Sequence, residues 1–297
     1  MNVQQHRKLI NEIEIQTSSG SCMAKIDLNK GGSVQRLMLQ NKIVINEEIG
    51  IDYESTYASA ILFPFVNRIE NGIYHFKGNR YELDKNQVEE QHAIHGLVYN
   101  KTFEIKEEIV GPNSSKVCLQ YDSSNKIDGF PFRYSIQLIY TLTEESLTLM
   151  IEVKNTDQRE FPFSLGWHPY FVSSDLGNSY FSMESNAQIV KNDRNISLKR
   201  VKKEVPSEIQ IKDKIVDDCY VLNDKRISFR TPDYEIDIEI SDGENYVQLY
   251  TPPGRNCIAI EPMTSPSNSF NNKIGLMVLQ SNQVFSRSWA VKLKTNN

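Results

Sequence analysis

The strongest constraint on the fold is a long alternation of apolar and polar residues in the middle of the chain. Every second residue is apolar from Phe132 to Leu142, a turn follows at 143–146, and the alternation resumes from Leu147 to Val153. Because neighbouring side chains of a β-strand point to opposite faces, this pattern predicts an antiparallel hairpin with one buried face. The segment 161–171 begins soon afterwards, and we expect it to continue the same sheet.

Shorter segments of the same type occur along most of the chain. A turn at 77–79 is flanked by two of them, which indicates a hairpin. The alternating segment 234–240 is followed by Asp242 and Gly243, a tight-turn signal, and 247–250 is expected to return beside it. Further strands are expected at 24–28, 34–39, 42–45, 63–69, 258–260 and 284–293.

Sustained helical periodicity is absent from the sequence, although 266–272 is compatible with a single turn of helix. Residues 173–215 are polar and irregular, and we interpret them as loops and short strands. No internal repeat, low-complexity linker or change in composition marks a domain boundary. With 297 residues, the chain is long enough for one large all-β domain over 1–297, and its many strands favour stacked sheets.

The distribution of charge gives no indication of a nucleic-acid partner. The formal net charge is −5, the isoelectric point is near 5.7, and the 33 lysines and arginines are scattered. Proteins that bind nucleic acid normally present a basic face. The densest basic cluster, at 199–203, is interpreted as a solvated loop.

No segment indicates secretion, a membrane span or a metal site. The first fifteen residues contain no long apolar run, so we expect a cytoplasmic protein without a membrane partner. The four cysteines are dispersed without CxxC or CxxH spacing. They are therefore interpreted as small buried hydrophobic residues, and no metal is expected. The oligomeric state is left open between a monomer and a homodimer.

Polar residues embedded in apolar, strand-like segments are the best candidates for a functional site. His168 lies within the aromatic segment FPFSLGWHPYF, and Glu261 lies within IAIEPMT. Burial of an unpaired polar group is costly, so such residues are either hydrogen-bonded in the core or functional. Aromatic faces and forked polar side chains in a nearly neutral cleft are typical of carbohydrate sites. The polar residues of this type are Asn67, Arg68, His95, Asp217 and Gln248.

Five motifs, in this order, resemble those of the aldose 1-epimerase (galactose mutarotase) family: FPFVNRI, HAIHGLVYN, FPFSLGWHPYF, DDCY and QLYT with IAIEPMT. The resemblance extends over about residues 20–293. It implies a large antiparallel β-sandwich, the supersandwich of galactose mutarotases, with the sugar in a cleft across the sheets. It also implies a cofactor-free reaction that interconverts the α- and β-anomers of a free aldose.

The resemblance implies opposite roles for two residues. Glu261 resembles the general base that removes the proton from the anomeric hydroxyl, and His168 resembles the general acid that protonates the ring oxygen. Ring opening needs a base at one end of the breaking bond and an acid at the other. Trp167 would point away from His168 in an extended segment, so we interpret it as a core residue.

The remaining motif residues resemble groups that bind the sugar. His95 and Arg68 resemble residues that bind the substrate and stabilise developing charge, with Asn67 beside them. Asp217 and Gln248 resemble residues that bind hydroxyl groups. For Arg68, a structural ion pair is the competing interpretation.

Neighbouring residues compete for two of these assignments. His92 lies three residues before His95, and in a strand the two would face opposite sides. The glycine after His95 matches the family motif and favours His95. Asp218 competes with Asp217, and the spacing to Tyr220 favours Asp217.

Two alternatives to an epimerase of free hexoses remain at this stage. A hexose-6-phosphate mutarotase would need additional cations, for which Arg133, Lys191, Arg194 and Arg255 are available. A carbohydrate-binding protein that keeps the fold without turnover is the other alternative. The presence of both His168 and Glu261 argues against it, because binding alone does not need an opposed acid and base.

Overall fold

The structure, a computed structural model, describes residues 6–46, 52–123, 127–212 and 215–294. Within these ranges, the two α-helices have four residues each, α1 at Tyr53–Thr56 and α2 at Ser269–Asn272. A turn of 3₁₀-helix lies at Glu70–Gly72. Neither helix is long and apolar enough to cross a membrane. The helical turn predicted at 266–272 is confirmed by α2.

All other regular structure in the described ranges is β. The strands are β1 His6–Leu9, β2 Glu12–Gln16, β3 Met23–Asp27, β4 Ser33–Leu39, β5 Lys42–Asn46, β6 Ile61–Leu62, β7 Arg68–Ile69, β8 Ile73–Phe76, β9 Asn79–Glu82, β10 Ala93–Ile94, β11 Glu104–Val110, β12 Ser114–Ser123, β13 Tyr134–Thr143, β14 Ser146–Asn155, β15 Phe161–Phe163, β16 Gly166–Trp167, β17 Tyr170–Val172, β18 Tyr180–Lys191, β19 Ser197–Lys202, β20 Glu208–Gln210, β21 Asp217–Arg230, β22 Glu235–Ile240, β23 Tyr246–Tyr250, β24 Cys257–Met263, β25 Met277–Leu279 and β26 Val284–Leu293.

A long antiparallel sheet forms the body of the molecule. Its main path runs β11-β12-β13-β14-β26-β22-β21-β23-β24-β16-β6. Strand β17 also pairs with β24, β18 pairs with β21, and β19 and β20 pair with β18. Strands β1 to β5 form a separate five-stranded sheet, and β7/β10, β8/β9 and β15/β25 are two-stranded. This organisation confirms the predicted all-β, antiparallel class.

The predicted central hairpin is confirmed as β13 and β14. Tyr134 pairs with Asn155 and Leu142 with Leu147. Along both strands, alternate side chains are buried, including Leu138 and Tyr140, which are fully inaccessible to solvent. The apolar alternation therefore marks the face of the sheet that packs into the core.

Aromatic rings connect this hairpin to the segments that carry the candidate site. The ring of Phe63 lies 4.8 Å from that of Tyr134, and the ring of Phe130 lies 5.4 Å from that of Phe161. Phe163 in turn contacts Phe63 at 6.3 Å. These tilted and edge-to-face contacts add to the area buried, and they hold the segments around 63 and 161 against the same core.

The hairpin predicted at Asp242–Gly243 is wrong, because β22 and β23 do not pair with each other. Strand β21 pairs with β18 along one edge. On its other edge it pairs with β22 through residues 226–230 and with β23 through residues 217–221. The chain therefore continues along the edge of β21 instead of reversing. Gly243 has a φ of 130°, a backbone conformation that residues with a side chain rarely adopt.

The interpretation of 173–215 as loops and short strands is wrong in its central part. Strand β18 has twelve residues and pairs with β21 in the long sheet. Its inward positions include the small residues Ser185 and Ala187, which obscured the alternation in the sequence. The basic cluster at 199–203 lies mostly in the largely exposed strand β19, so its interpretation as a loop is also wrong.

The strand predicted at 63–69 is wrong except at its end, where β7 begins. Between β6 and β7 the chain is irregular, with a cis peptide bond between Phe63 and Pro64 and a left-handed Asn67. Loops satisfy its backbone groups, since Leu97 N–H donates to the Phe63 carbonyl and Ser164 N–H to the Pro64 carbonyl, both at 2.7 Å. The segment 161–171 continues the long sheet only through β16 and β17, because β15 pairs with β25.

All four cysteines are buried and unpaired with one another, which confirms their interpretation as small buried residues. The extent of a single domain over 1–297 stays a prediction.

The buried face of the central hairpin gives a direct test of the fold. Truncation by Leu138→Ala removes a fully buried side chain and is expected to lower the free energy of unfolding by about 2–5 kcal/mol. Ser135→Ala, on the opposite face of β13, is the matched control and should change it by less than about 1 kcal/mol. Urea unfolding of both variants provides the measurement, and equal effects would contradict the assignment of faces.

Candidate active site

A cleft of about 510 Å³ is lined by residues of α1, β10, β17, β21, β23 and β24 and of the loops between them. The seven residues singled out in the sequence all line this cleft: Asn67, Arg68, His95, His168, Asp217, Gln248 and Glu261. They come from segments far apart in the chain, so the fold brings together a set that the sequence shows only as separate motifs.

Glu261 is positioned by β24, in which every residue is buried. Its Cα partner on the neighbouring strand β23 is Gln248. Only 2% of Glu261 is exposed, and its Oε1 lies 3.5 Å from Nε2 of His168. A buried carboxyl group therefore faces a buried imidazole at one end of the cleft.

His168 is held by its backbone in the gap between β16 and β17. Its N–H donates to the Ala60 carbonyl at 3.0 Å, and its carbonyl accepts from Ser59 N–H at 2.8 Å. The imidazole stacks on the ring of Tyr170, with centroids 5.1 Å apart and an angle of 15° between planes. These contacts fix the ring in the orientation that places its Nε2 near Oε1 of Glu261.

His95 occupies a strained turn that aims it at the same point. Its φ of 62° lies in the left-handed region, which costs energy for a residue with a β-carbon. Its N–H donates to the Asn67 carbonyl at 2.9 Å. The next residue, Gly96, has φ of 77°, and a β-carbon there would lie 2.3 Å from the Phe63 carbonyl oxygen. Only glycine fits this approach, and it brings the His95 ring to 4.8 Å from that of His168.

Arg68 and Asn67 lie beside His95 on the wall of the cleft. Arg68 Nε donates to Gln87 Oε1 at 3.0 Å and to Glu90 Oε2 at 3.1 Å. Its Nη1 donates to Asn67 Oδ1 at 3.2 Å. The ion pair considered from the sequence is therefore present, with Glu90 as the partner, and Arg68 still lines the cleft.

Asp217 and Gln248 form a second polar group in the lining of the cleft. Gln248 Nε2 donates to Asp217 Oδ1 at 2.7 Å, and Lys191 Nζ donates to the same oxygen at 2.8 Å. Asp218 points elsewhere, since its Oδ1 accepts from Gln188 Nε2 at 2.6 Å. The geometry places Asp217, and not Asp218, on the cleft.

The two other sequence alternatives lie outside the cleft. His92 is buried, and its Nδ1 accepts from Asn71 N–H at 3.0 Å. Trp167 is fully buried in the main core, as expected from its position next to His168.

A family model described as aldose 1-epimerase matches residues 13–292. The chain belongs to the aldose 1-epimerase family. Membership in this family makes it an isomerase of the epimerase, or mutarotase, type. Its relatives include the uncharacterized protein YihR of Escherichia coli K12, which is 24% identical over 238 residues, or 74% of each chain.

Solved structures with the same fold include a galactose mutarotase-like protein from Clostridium acetobutylicum. It has a TM-score of 0.87 and 19% identity, with 97% of this chain and 98% of that chain covered. A galactose 1-epimerase from Lactobacillus acidophilus has a TM-score of 0.79 and 13% identity, with 98% of each chain covered. At these identities the likeness establishes the fold, which is the galactose mutarotase-like β-sandwich.

In this protein of the aldose 1-epimerase family, burial shifts the pKa values of His168 and Glu261 in opposite directions. Burial lowers the pKa of His168 to about 3. Burial raises the pKa of Glu261 well above its ordinary value, and the Asp217 carboxylate raises it further. Arg68 and Lys191 lower the pKa of Glu261, but less than burial raises it. Desolvation thus favours the neutral form of each group.

Burial also favours the neutral form of His95. Burial, with smaller contributions from His168 and Arg68, lowers its pKa well below the ordinary value. The imidazole of His95 is therefore neutral near pH 7.

Three buried polar atoms around this point lack a hydrogen-bond partner among the described residues: His95 Nδ1, His168 Nδ1 and Glu261 Oε2. Buried polar groups are normally satisfied, so a concentration of exceptions indicates a place where a ligand completes the bonding.

Sequence reasoning missed several residues of the cleft. Tyr170 lines it and lies within the GWHPYF motif, so its place two residues after His168 was an available signal. The loop residues from Asn86 to Glu90 also line it. Asn86 Oδ1 accepts from Ile94 N–H at 2.8 Å, and its Nδ2 donates to the Tyr57 hydroxyl at 3.1 Å. No pattern in the sequence indicated this loop, because long-range contacts place it.

The raised pKa of Glu261 predicts a pH dependence of stability. A folded-state pKa above the unfolded value of 4.5 contributes stability that is complete below that pH and is lost as the pH rises toward the folded value. Glu261→Gln cannot ionise, so its stability relative to the wild type should increase as the pH rises above about 4.5. Urea unfolding at several pH values above this point gives the measurement.

Glu239→Gln makes the same chemical change at an exposed position on β22 and is the control measured in parallel. A difference between Glu261→Gln and the wild type that does not change with pH would contradict the raised pKa.

Proposed function

We propose that the protein is an aldose 1-epimerase that interconverts the α- and β-anomers of a free aldohexose such as glucose or galactose. The observation that carries the proposal is the buried pair of His168 and Glu261, with Nε2 and Oε1 3.5 Å apart. Each side chain also has a buried atom without a hydrogen-bond partner among the described residues. Residues suited to binding hydroxyl groups surround the pair.

The proposed roles follow the family resemblance. Glu261 removes the proton from O1 of the sugar while His168 protonates the ring oxygen, and the C1–O5 bond breaks. After rotation about the C1–C2 bond, the ring closes on the other face, His168 takes back the proton from O5, and Glu261 returns its proton to O1. The pair therefore begins and ends with one shared proton, and the reaction needs no other reactant. His95 and Arg68 stabilise the developing charge, and Asn67, Asp217 and Gln248 hold the hydroxyls.

The pKa shifts favour the shared proton on Glu261, whereas the proposed roles begin with that proton on His168. Burial favours neutral His168 and protonated Glu261. The reactive form is a carboxylate facing an imidazolium. It contains the same single proton, so transfer between the two groups interconverts the forms. A bound sugar donates hydroxyl hydrogen bonds to the carboxylate, which lowers the pKa of Glu261 toward the reactive form.

The charge around the cleft supports a free sugar over a hexose 6-phosphate. Among the described residues that line it, Arg68 is the one lysine or arginine, and Glu90 already pairs with it. Glu54 and Glu89 are exposed at the mouth. A phosphate dianion there would meet carboxylates of like charge.

The four cations considered from the sequence do not line the cleft. Three of them have carboxylate partners: Arg133 pairs with Asp157, Lys191 with Asp217 and Arg194 with Glu70.

Polarimetry of freshly dissolved α-D-glucose and α-D-galactose tests the function. The wild type should accelerate mutarotation above the spontaneous rate, and Glu261→Gln should lower kcat by about 10²-fold or more with sugar binding retained. Glu239→Gln is the control and should keep full activity. Loss of sugar binding in Glu261→Gln with kcat unchanged would contradict the assignment of Glu261 as the general base. No acceleration by the wild type with free sugars or hexose 6-phosphates would favour the binding-protein alternative.

A comparison of glucose with glucose 6-phosphate tests the proposed substrate charge. We expect kcat/KM for glucose to exceed that for the phosphate by about tenfold or more. Exchanging the exposed carboxylate in Glu89→Gln should raise kcat/KM for the phosphate and leave the value for glucose unchanged. NMR exchange between the anomers measures both reactions at equal ionic strength. Equal values for the two substrates would favour the hexose-6-phosphate alternative.

A further inference from the structure

We propose that His95, His168 and Glu261 also form a site for a divalent transition-metal ion of the zinc class, and that this ion and the sugar exclude each other. The metal proposal concerns the same cleft but needs no turnover. The mutual exclusion rests on the proposed function.

The geometry around the three side chains is the first support. One ligand atom from each residue lies within 4.8 Å of the others. The separation of 3.5 Å between His168 Nε2 and Glu261 Oε1 already matches the roughly 3.4 Å between ligands of a tetrahedral zinc ion with bonds of about 2.1 Å. Small side-chain rotations would therefore bring the third ligand atom into range.

The burial of these groups is an independent support. The exposed fractions of His95, His168 and Glu261 are 6%, 4% and 2%. The second carboxylate oxygen, Glu261 Oε2, is buried and has no hydrogen-bond partner among the described residues. An ion held by this carboxylate would satisfy it, whereas a surface cluster of the same residues would already be hydrated.

The chemistry of the ligand set selects the class of ion. Two imidazole nitrogens and one carboxylate oxygen suit Zn²⁺, Co²⁺, Ni²⁺ or Cu²⁺, and not Ca²⁺ or Mg²⁺, which prefer oxygen ligands. The cleft leaves the fourth position open to water or to a sugar hydroxyl.

The missing hydrogen-bond partners of the two histidines limit the affinity of the site for a metal ion. Metal-binding histidines usually donate their second nitrogen to a carboxylate or carbonyl, and each lost partner weakens binding by about 10–100-fold. His95 Nδ1 and His168 Nδ1 have no such partner in the described part of the chain. We therefore expect affinity in about the micromolar range, as for an inhibitory ion and not for a resident cofactor.

Titration of the tag-free protein with Co²⁺ and Zn²⁺ tests the site. Co²⁺ should give one-to-one binding with visible d–d absorption, and calorimetry should show one Zn²⁺ per chain. Glu261→Gln, which preserves shape, should weaken binding more than tenfold, and His168→Gln should do the same. Both variants are first checked by circular dichroism. His75→Asn removes an exposed histidine on β8 and should leave binding unchanged.

Binding that survives in both site variants, or no stoichiometric binding of either ion below about 1 mM, would overturn the proposal. Addition of galactose or glucose should raise the apparent Kd for Co²⁺. Metal binding without mutarotase activity would leave the metal site standing and reject the proposed function. Activity without metal binding would do the reverse.

Discussion

The close approach of Gly96 to the Phe63 carbonyl is the constraint on which the cleft depends. It holds two irregular segments together at a distance that no β-carbon would allow. The hydrogen bond from His95 N–H to the Asn67 carbonyl and that from Ser164 N–H to Pro64 extend this contact to the segment before β16. The regular sheet supplies Glu261, and these crossings of irregular chain bring the histidines to it.

The cleft contains groups whose burial and backbone conformation cost local stability. Three buried residues of the cleft each have a polar atom without a hydrogen-bond partner among the described residues, and His95 has a left-handed backbone conformation. A protein selected for stability alone would satisfy or remove such groups. Their presence together is understandable if a ligand completes the bonding, as a sugar would in the proposed reaction and as a metal ion would in the competing complex.

Local patterns in the sequence predicted much of the fold and most of the site. The alternation that gives β13 and β14 depends only on which face is buried, and 284–293 coincides with β26. Patterning failed for β18, because Ser185 and Ala187 take inward positions where large apolar residues were expected. It failed at Asp242–Gly243 because a turn signal does not say which strand the next segment will join. The loop at Asn86–Glu90 gave no signal at all.

The sequence by itself determined the all-β class, the central hairpin and the residue types available for acid–base chemistry, since these follow from side-chain period and composition. The tertiary structure alone decided that β22 and β23 share one edge of β21, that Asp217 and not Asp218 reaches the cleft, and that Arg68 is paired with Glu90. It also shifted the pKa of His168 downward and that of Glu261 upward through burial. Strand pairing and desolvation depend on contacts between distant parts of the chain, which local sequence does not encode.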